Sequence, residues 1–264
     1  MAGNRRGLSI SWPFAPTAVR LNGDTGLLKL VAMLAMVCDH AGKMLFPQYP
    51  IMRIIGRLAF PIYAYCIAVG CVYTRNPLNY LKRILLLALV SQPIYAVSLA
   101  HTNSKMFAYS IAEEPLLAAR NFYLYSWVSK PSILCTLAVG IILIWALRNK
   151  QMVVFLSALL LCWMVRSKLD YGMKGVMLML LFYIFCSHRW LSLPVVLAFM
   201  LWWGIGSGSY SLFGVNFGTQ AFAIFALPLI YVHTNTGVRL PKWMFYLFYP
   251  AHLALIYALN TFVM

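Results

Sequence analysis

The chain has 264 residues, of which 62% are hydrophobic and only 10% are charged. A soluble domain is about half apolar and about a quarter charged, because it must cover itself with polar groups in water. This composition excludes an ordinary soluble protein and indicates one that is embedded in a lipid bilayer. The apolar runs are long and show no alternation, so they predict spanning helices rather than the strands of a barrel.

The net charge of +16 does not indicate a nucleic-acid partner. A nucleic-acid-binding surface gathers its basic residues on one face. Here the Lys and Arg residues are spread over the connections between apolar runs, which is typical of segments that meet lipid headgroups. We therefore expect membrane lipids, and no nucleic acid, among the partners.

The first element in chain order is a basic tail over residues 1–26. Pro13 and Pro16 interrupt its short apolar stretch, and no small-residue cleavage site follows, so it does not resemble a signal peptide. We expect the first spanning helix to act as an uncleaved targeting signal. Because Arg5, Arg6 and Arg20 precede that helix, we also expect the N-terminus to be cytoplasmic.

The apolar runs after the tail predict an all-α, polytopic transmembrane bundle over residues 27–264. A spanning helix needs about 20 residues, which gives about nine spans, or eight to ten if the short runs are counted differently. The predicted spans lie near residues 27–46, 54–73, 80–100, 131–148, 151–166, 171–187, 189–206, 218–233 and 243–262. The polar connection 101–130 is a candidate for an amphipathic surface helix.

The six cysteines lie within apolar runs and form no C-x-x-C pair. Cysteine is a small residue that is often buried, so packing explains these positions. We predict neither a disulfide framework nor a metal site.

The first candidate site residues are Asp39 and His40, which lie inside the first predicted span. An ionisable group at that depth costs about 2.5–3.5 kcal/mol on insertion scales, so it faces a protein interior or a cavity. Asp39 can pair with Lys43 one helical turn away, or with Arg57 in the second span. A purely structural ion pair is the alternative to a functional site.

Three further candidates follow, each with a structural alternative. Asp170 and Tyr171 precede the sixth span, where Asp170 can simply cap the helix. Arg57 can instead reach lipid headgroups, which is the favoured interpretation for Arg53. His252 lies in the last span, where a buried histidine is often only a hydrogen-bonded packing residue.

A group of basic residues follows the second span. Arg75, Lys82 and Arg83 are suited to a phosphate-bearing ligand on the cytoplasmic side. They are equally suited to anionic lipid headgroups.

Five segments of the chain, in this order, resemble the TraX family. They run from residue 30 into the last span and consist of Leu30–His40, Arg53–Pro61, Thr74–Asn76, Asp170–Gly172 and Phe245–Leu253. The likeness extends from about residue 27 to the end of the sequence. No single segment is decisive, but the ordered set is specific.

This resemblance implies an inner-membrane protein of a bacterial conjugation system. The founding member of the family acetylates the amino-terminal residue of F-type pilin with acetyl-CoA as co-substrate. The family is related to multi-span membrane acyltransferases that carry an essential histidine in or near an early span, and His40 matches that histidine best. The resemblance thus implies acetyl-CoA as the donor and a pilin subunit as the acceptor.

Acetyl transfer to an amine needs a base or a nucleophile, and neutral imidazole can be either. Asp39 could orient that imidazole, and Arg57, Tyr171 or His252 could donate to the oxyanion. No metal is required. Two other classes of function stay open: a transporter or channel with Asp39, His40, Asp170 and His252 as a proton relay, and a pilus assembly factor without chemistry.

Overall fold

A computed structural model describes residues 16–99, 114–212 and 214–263 of the chain. Arg5, Arg6 and Glu113 lie outside these ranges, as does the first half of the predicted surface-helix region. The helices are α1 (Thr25–Met44), α2 (Pro50–Gly56), α3 (Ala59–Tyr73), α4 (Pro77–Ser98), α5 (Pro115–Ser129), α6 (Ile133–Arg148), α7 (Met152–Met164), α8 (Gly172–Phe185), α9 (Arg189–Gly204), α10 (Leu227–Tyr231) and α11 (Lys242–Val263). The predicted all-helical class is confirmed.

Local sequence explains where several helices begin. The side chain of Asp24 accepts a hydrogen bond from the backbone N–H of Leu27 and so caps α1. Asn76 caps α4 in the same way, and Pro77 follows it in the first turn. Proline is favoured there because the N–H groups of the first turn have no acceptor within the helix, so a residue without an N–H loses no hydrogen bond.

Fewer helices than the nine predicted spans have the length and composition of a membrane crossing. Three described segments qualify, namely α1, the 24 residues of α2 and α3 together, and α4. Helices α5 and α6 qualify as one segment that is bent by 56°. A helix such as α9, with 16 residues, is about 24 Å long, which is shorter than a hydrocarbon core of about 30 Å.

Large apolar side chains cover the outside of the bundle. Leu116 of α5, Val153 of α7 and Trp190 of α9 are 87%, 82% and 85% exposed. In water such a surface would drive association, whereas lipid tails solvate it. The exterior therefore fits a membrane protein.

The core is built where α3 packs against α6 and α8. Its largest buried side chains include Tyr65 of α3 and Phe182 of α8, whose rings meet edge to face with centroids 5.5 Å apart. Helix α1 packs against α3 on one side and against α2 and α11 on the others. This arrangement brings α1 and α11 together although they are far apart in sequence.

Two features depart from the predicted order of elements. A small antiparallel hairpin, β1 (Ile205–Leu212) and β2 (Val215–Phe217), lies between the seventh and eighth predicted spans. The eighth predicted span is a 3-10 helix (Thr219–Ala226) continued by the five residues of α10. Neither is a long regular helix, which explains part of the difference in span count.

The last residues of the predicted tail are part of the packed structure. Leu21 and Asn22 are buried, and the backbone carbonyl of Asn22 accepts a hydrogen bond from Tyr65 at 2.7 Å. The Asn22 side chain donates to the carbonyl of Leu229 and to Thr234. This segment ties the start of α1 to the connection before α11.

Candidate active site

A cavity of about 770 Å³ lies between α1, α3, α4, α6 and α11. Its lining includes Asp39 and His40 at one end and Lys29 near the start of the same helix. Lys29 and His40 are 11 positions apart, which is about 16 Å along the helix axis. Because 11 residues make about three full turns, the two side chains lie on one face of α1. The cavity therefore joins a histidine end to a basic end.

The histidine end is built by two imidazoles from α1 and α11. Nδ1 of His40 and Nε2 of His252 lie 2.8 Å apart, and Nδ1 of His252 lies 2.7 Å from the backbone carbonyl of Phe248. The Phe248 ring also packs against His252, with centroids 4.6 Å apart. His252 is thus held by a hydrogen bond and by a ring contact from its own helix.

The carbonyl of Phe248 determines the tautomers of both rings. A carbonyl can only accept, so Nδ1 of His252 carries its proton and Nε2 of a neutral His252 must accept. The donor to Nε2 is then Nδ1–H of His40, which leaves the lone pair on Nε2 of His40. The pair therefore presents His40 as a base.

The carboxylate of Asp39 does not orient His40. Its Oδ2 pairs with Arg53 at 2.9 Å, and its Oδ1 is bound by Arg57. Arg57 is thus the partner of Asp39 among the two that the sequence allowed, and Arg53, for which lipid headgroups were the favoured interpretation, binds the same carboxylate. The role expected of Asp39 beside the imidazole is taken by His252.

A close approach of two helices makes this ion pair possible. Gly56, at the end of α2, lies so near the Asp39 side chain that a Cβ there would overlap it. The other predicted partner, Lys43, instead donates to the carbonyl of Leu99 at 2.7 Å. Asp39 and its two arginines thus join α1 to the α2–α3 segment beneath the histidine pair.

We expect Asp39→Asn to destabilise the protein as well as to lower any activity. The amide leaves two guanidinium groups without the anion they share, and Arg57 and Asp39 are only 12% and 14% exposed. Breaking such a pair costs about 2 kcal/mol here, less than for fully buried pairs. The thermal unfolding midpoint in detergent measures this, with exposed Glu114→Gln as the control. An unchanged midpoint would contradict the structural role.

Asp170 and Tyr171 line the same cavity as His40. Asp170 pairs with Lys130 at 3.4 Å, and the Tyr171 ring stacks on Phe60 with centroids 4.0 Å apart. The helix-capping interpretation of Asp170 is wrong. The cap position of α8 is occupied by Tyr171, and among the described hydrogen bonds none runs from an α8 amide to the Asp170 carboxylate.

The basic end differs from the predicted phosphate site. Of the three predicted residues only Arg83 lines the cavity, where it is joined by Lys29 and Arg239. Lys82 points about 100° away from Arg83 on α4, and Arg75 lies in the turn before that helix, so both are exposed outside the cavity. Among the described ion pairs, none involves Lys29, Arg83 or Arg239.

Sequence reasoning missed two residues of this site, Lys29 and Arg239, and one of them left a signal. Lys29 precedes His40 by three helical turns, so its position on the same face could have been found from helical periodicity. Arg239 lies in the connection before α11. The backbone of its neighbour Val238 packs against Gly26 of α1, and this tertiary contact brings the connection to the cavity. Nothing in the local sequence indicates that contact, nor the pairing of Arg53 with Asp39.

Comparisons with known proteins place the chain. No solved structure matches it. A probable fimbrial assembly protein of Dichelobacter nodosus (FimC, serogroup H1) is 31% identical over 77 residues, 28% of this chain and 32% of that protein. An uncharacterized protein of Rickettsia prowazekii (strain Madrid E) is 51% identical over 39 residues, 15% of this chain and 16% of that protein. The chain thus matches a third or less of the length of these relatives.

A family model reaches much further. The model described as TraX protein matches residues 24–260, nearly the whole chain. This range contains both histidines, both cavity carboxylates and the three cations of the basic end. The chain therefore belongs to the TraX family.

Proposed function

We propose that this protein is an inner-membrane acetyltransferase that transfers the acetyl group of acetyl-CoA to the N-terminal amine of a pilin subunit in a conjugation system. Membership of the TraX family supports this reaction class. The likeness to a probable fimbrial assembly protein supports an acceptor in a pilus system. We further propose that the N-terminus lies in the cytoplasm.

The hydrogen-bonded pair of His40 and His252 carries the proposal. Its hydrogen bonds leave the lone pair of His40 Nε2 free, and His40 lines the cavity. An amine nucleophile must lose a proton to attack a thioester, and neutral imidazole is the side chain suited to accept it near pH 7. Protonated His40 keeps its hydrogen bond to His252.

The proposed transfer accounts for every bond and proton. His40 Nε2 takes one proton from the acceptor ammonium, and the resulting amine attacks the carbonyl carbon of the thioester, forming a C–N bond. The C–S bond then breaks, and a second proton leaves the nitrogen for the CoA thiolate. The products are the acetylated amine, the free thiol of CoA and one proton that His40 returns to water.

Tyr171 is our candidate for stabilising the oxyanion. Arg57 binds Asp39, and both ring nitrogens of His252 are engaged. Tyr171 lines the cavity with His40, so its hydroxyl can donate to charge that develops on the carbonyl oxygen.

The basic end of the cavity suits the phosphates of acetyl-CoA. Phosphate is bound by Lys and Arg, and Lys29, Arg83 and Arg239 bring three such cations to one mouth. The distance of about 16 Å from Lys29 to His40 along α1 matches an extended pantetheine arm. The thioester would then reach His40 while the phosphates stay at the mouth.

We expect neutralising Lys29, Arg83 and Arg239 together, each to Gln, to raise the KM for acetyl-CoA at least about tenfold, since about 1.4 kcal/mol corresponds to a factor of ten. Contacts that act equally in ground and transition states change KM more than kcat. Purified protein in detergent is assayed over a range of donor concentrations. The double variant Arg75→Gln, Lys82→Gln is the matched control, because these cations lie outside the cavity.

An unchanged donor KM in the triple variant would assign these cations to lipid headgroups instead. A raised KM for acetyl-CoA in the Arg75 and Lys82 control would instead support the phosphate site predicted from the sequence.

Intact-mass analysis of pilin from cells with and without this gene tests the function itself. The expected result is a mass difference of one acetyl group that requires the gene. Identical pilin masses would contradict acetylation, and uptake or proton flux in liposomes without acetyl-CoA would favour a transporter. Pilus assembly that needs the protein but survives loss of His40 would favour a factor without chemistry.

A further inference from the structure

Two carboxylates line the cavity, and their surroundings differ. Asp39 is occupied on both oxygens by Arg53 and Arg57. Asp170 has a single cation, Lys130, whose Nζ lies 3.4 Å from one oxygen. Its other described partner is the neutral hydroxyl of Tyr95, so Asp170 is held by one cation where Asp39 is held by two.

The Lys130–Asp170 pair is loose and partly solvated. The Lys130 side chain is 46% exposed and that of Asp170 is 26% exposed, compared with 12% and 14% for Arg57 and Asp39. Exposed pairs of this kind contribute little to stability. Asp170 does not cap α8 either, so its described contacts are this loose pair and a hydrogen bond from the buried Tyr95 hydroxyl.

The position of Lys130 allows its side chain to leave while its backbone stays. It lies at the break between α5 and α6, and the side chain of Gln92 donates to its carbonyl at 3.1 Å. Gln92 also accepts from the backbone N–H of Ser132 at 2.9 Å. The backbone is thus fixed from α4, whereas the long side chain can turn toward water.

The group that Asp170 holds has the chemistry of the proposed acceptor. Lys130 Nζ is a primary ammonium, and a peptide amino terminus, with a pKa of about 8, is mostly a primary ammonium at neutral pH. An ammonium that enters a largely apolar cavity needs an anion to offset its lost hydration. Asp170 supplies that anion in the cavity that also holds His40.

We propose that Asp170 binds the amino terminus of the acceptor, and that Lys130 occupies this subsite until the acceptor displaces it. This inference rests on the proposed acetyl transfer and identifies the acceptor subsite within it. Asp170 is then the residue that selects cationic primary amines, and Lys130 competes with them.

The two partners of the ion pair should act in opposite directions. Asp170→Asn is expected to raise the KM for a synthetic peptide with a free amino terminus and no lysine by about tenfold or more. Lys130→Gln is expected to lower that KM several-fold, because the competitor is gone. The KM for acetyl-CoA should stay the same in both. Lys168→Gln, an exposed cation in the turn before Asp170, is the control.

Hydroxylamine, which is neutral at the assay pH, provides a second acceptor, with its uncatalysed reaction with acetyl-CoA subtracted throughout. A neutral acceptor is not attracted by the Asp170 carboxylate, so Asp170→Asn should leave the rate of hydroxylamine acetylation nearly unchanged. An equal loss with both acceptors would overturn the subsite, and so would a rise in peptide KM in Lys130→Gln, the result expected of a structural pair. Should Asp170→Asn fail to fold, the sign of the Lys130→Gln effect decides.

Wild-type protein that acetylates neither the peptide nor hydroxylamine would overturn the acetyltransferase function, and with it this role of Asp170. Transfer to both acceptors with no effect of either variant would overturn the subsite alone.

Discussion

The variant His40→Ala is expected to lose acetyl transfer while it still inserts into the membrane and purifies like the wild type. A positioned base contributes about 10²–10⁴-fold to the rate, so the loss should reach at least the lower figure. Folding should survive, because His40 is only partly buried and makes one described hydrogen bond, to His252. Transfer is followed with acetyl-CoA and pilin, or with the peptide acceptor, in purified protein.

His188→Ala is the matched control for this experiment. His188 is exposed and lies at the start of α9, away from the cavity lining. If His40→Ala transfers acetyl groups at the wild-type rate, the imidazole is only a packing residue and the proposed mechanism fails.

The second large effect is expected from His252. His252→Phe keeps a flat ring against Phe248 but removes the acceptor for Nδ1–H of His40, so either tautomer of His40 becomes possible. We expect kcat to fall about 100-fold, with little change in the KM for acetyl-CoA. His252→Gln should recover part of the rate, because its amide oxygen can accept the same hydrogen bond.

Partial recovery distinguishes positioning from packing. A residue that only fills space would be replaced better by phenylalanine than by glutamine. Equal rates for the two variants, or a higher rate for His252→Phe, would therefore contradict the assigned role.

Much of the helical architecture follows from the sequence, and the exceptions have physical causes. Long apolar runs predicted α1, α3 and α4 because a helix satisfies its own backbone polar groups without any partner. The hairpin at Ile205–Leu212 has no such local signal. Its Gly- and Ser-rich sequence forms a strand only by pairing with β2, and that depends on the tertiary arrangement.

Part of the candidate site could likewise be predicted from the sequence, and part of it could not. The positions of Asp39 and His40 within an apolar run marked them as unusual, since burying ionisable groups is costly. Charge limited the partners of Asp39 to Lys43 and Arg57 without choosing between them. The choice of His252 rather than Asp39 beside the His40 imidazole did not, because it depends on how α11 packs against α1. Helical spacing limits which residues share a face, but not which face another helix covers.

The His40–His252 hydrogen bond joins residues 212 positions apart in the chain. Helices α2 to α10 are therefore synthesised before α11, and the two imidazoles can meet only once α11 packs against α1. Until α11 docks, His252 cannot hold the proton of His40 on Nδ1, so under the proposed mechanism a partly assembled bundle would lack the base and would not hydrolyse acetyl-CoA. Under the proposed mechanism, the onset of acetyl transfer would coincide with the docking of α11, and acetylated product would report that this helix is in place.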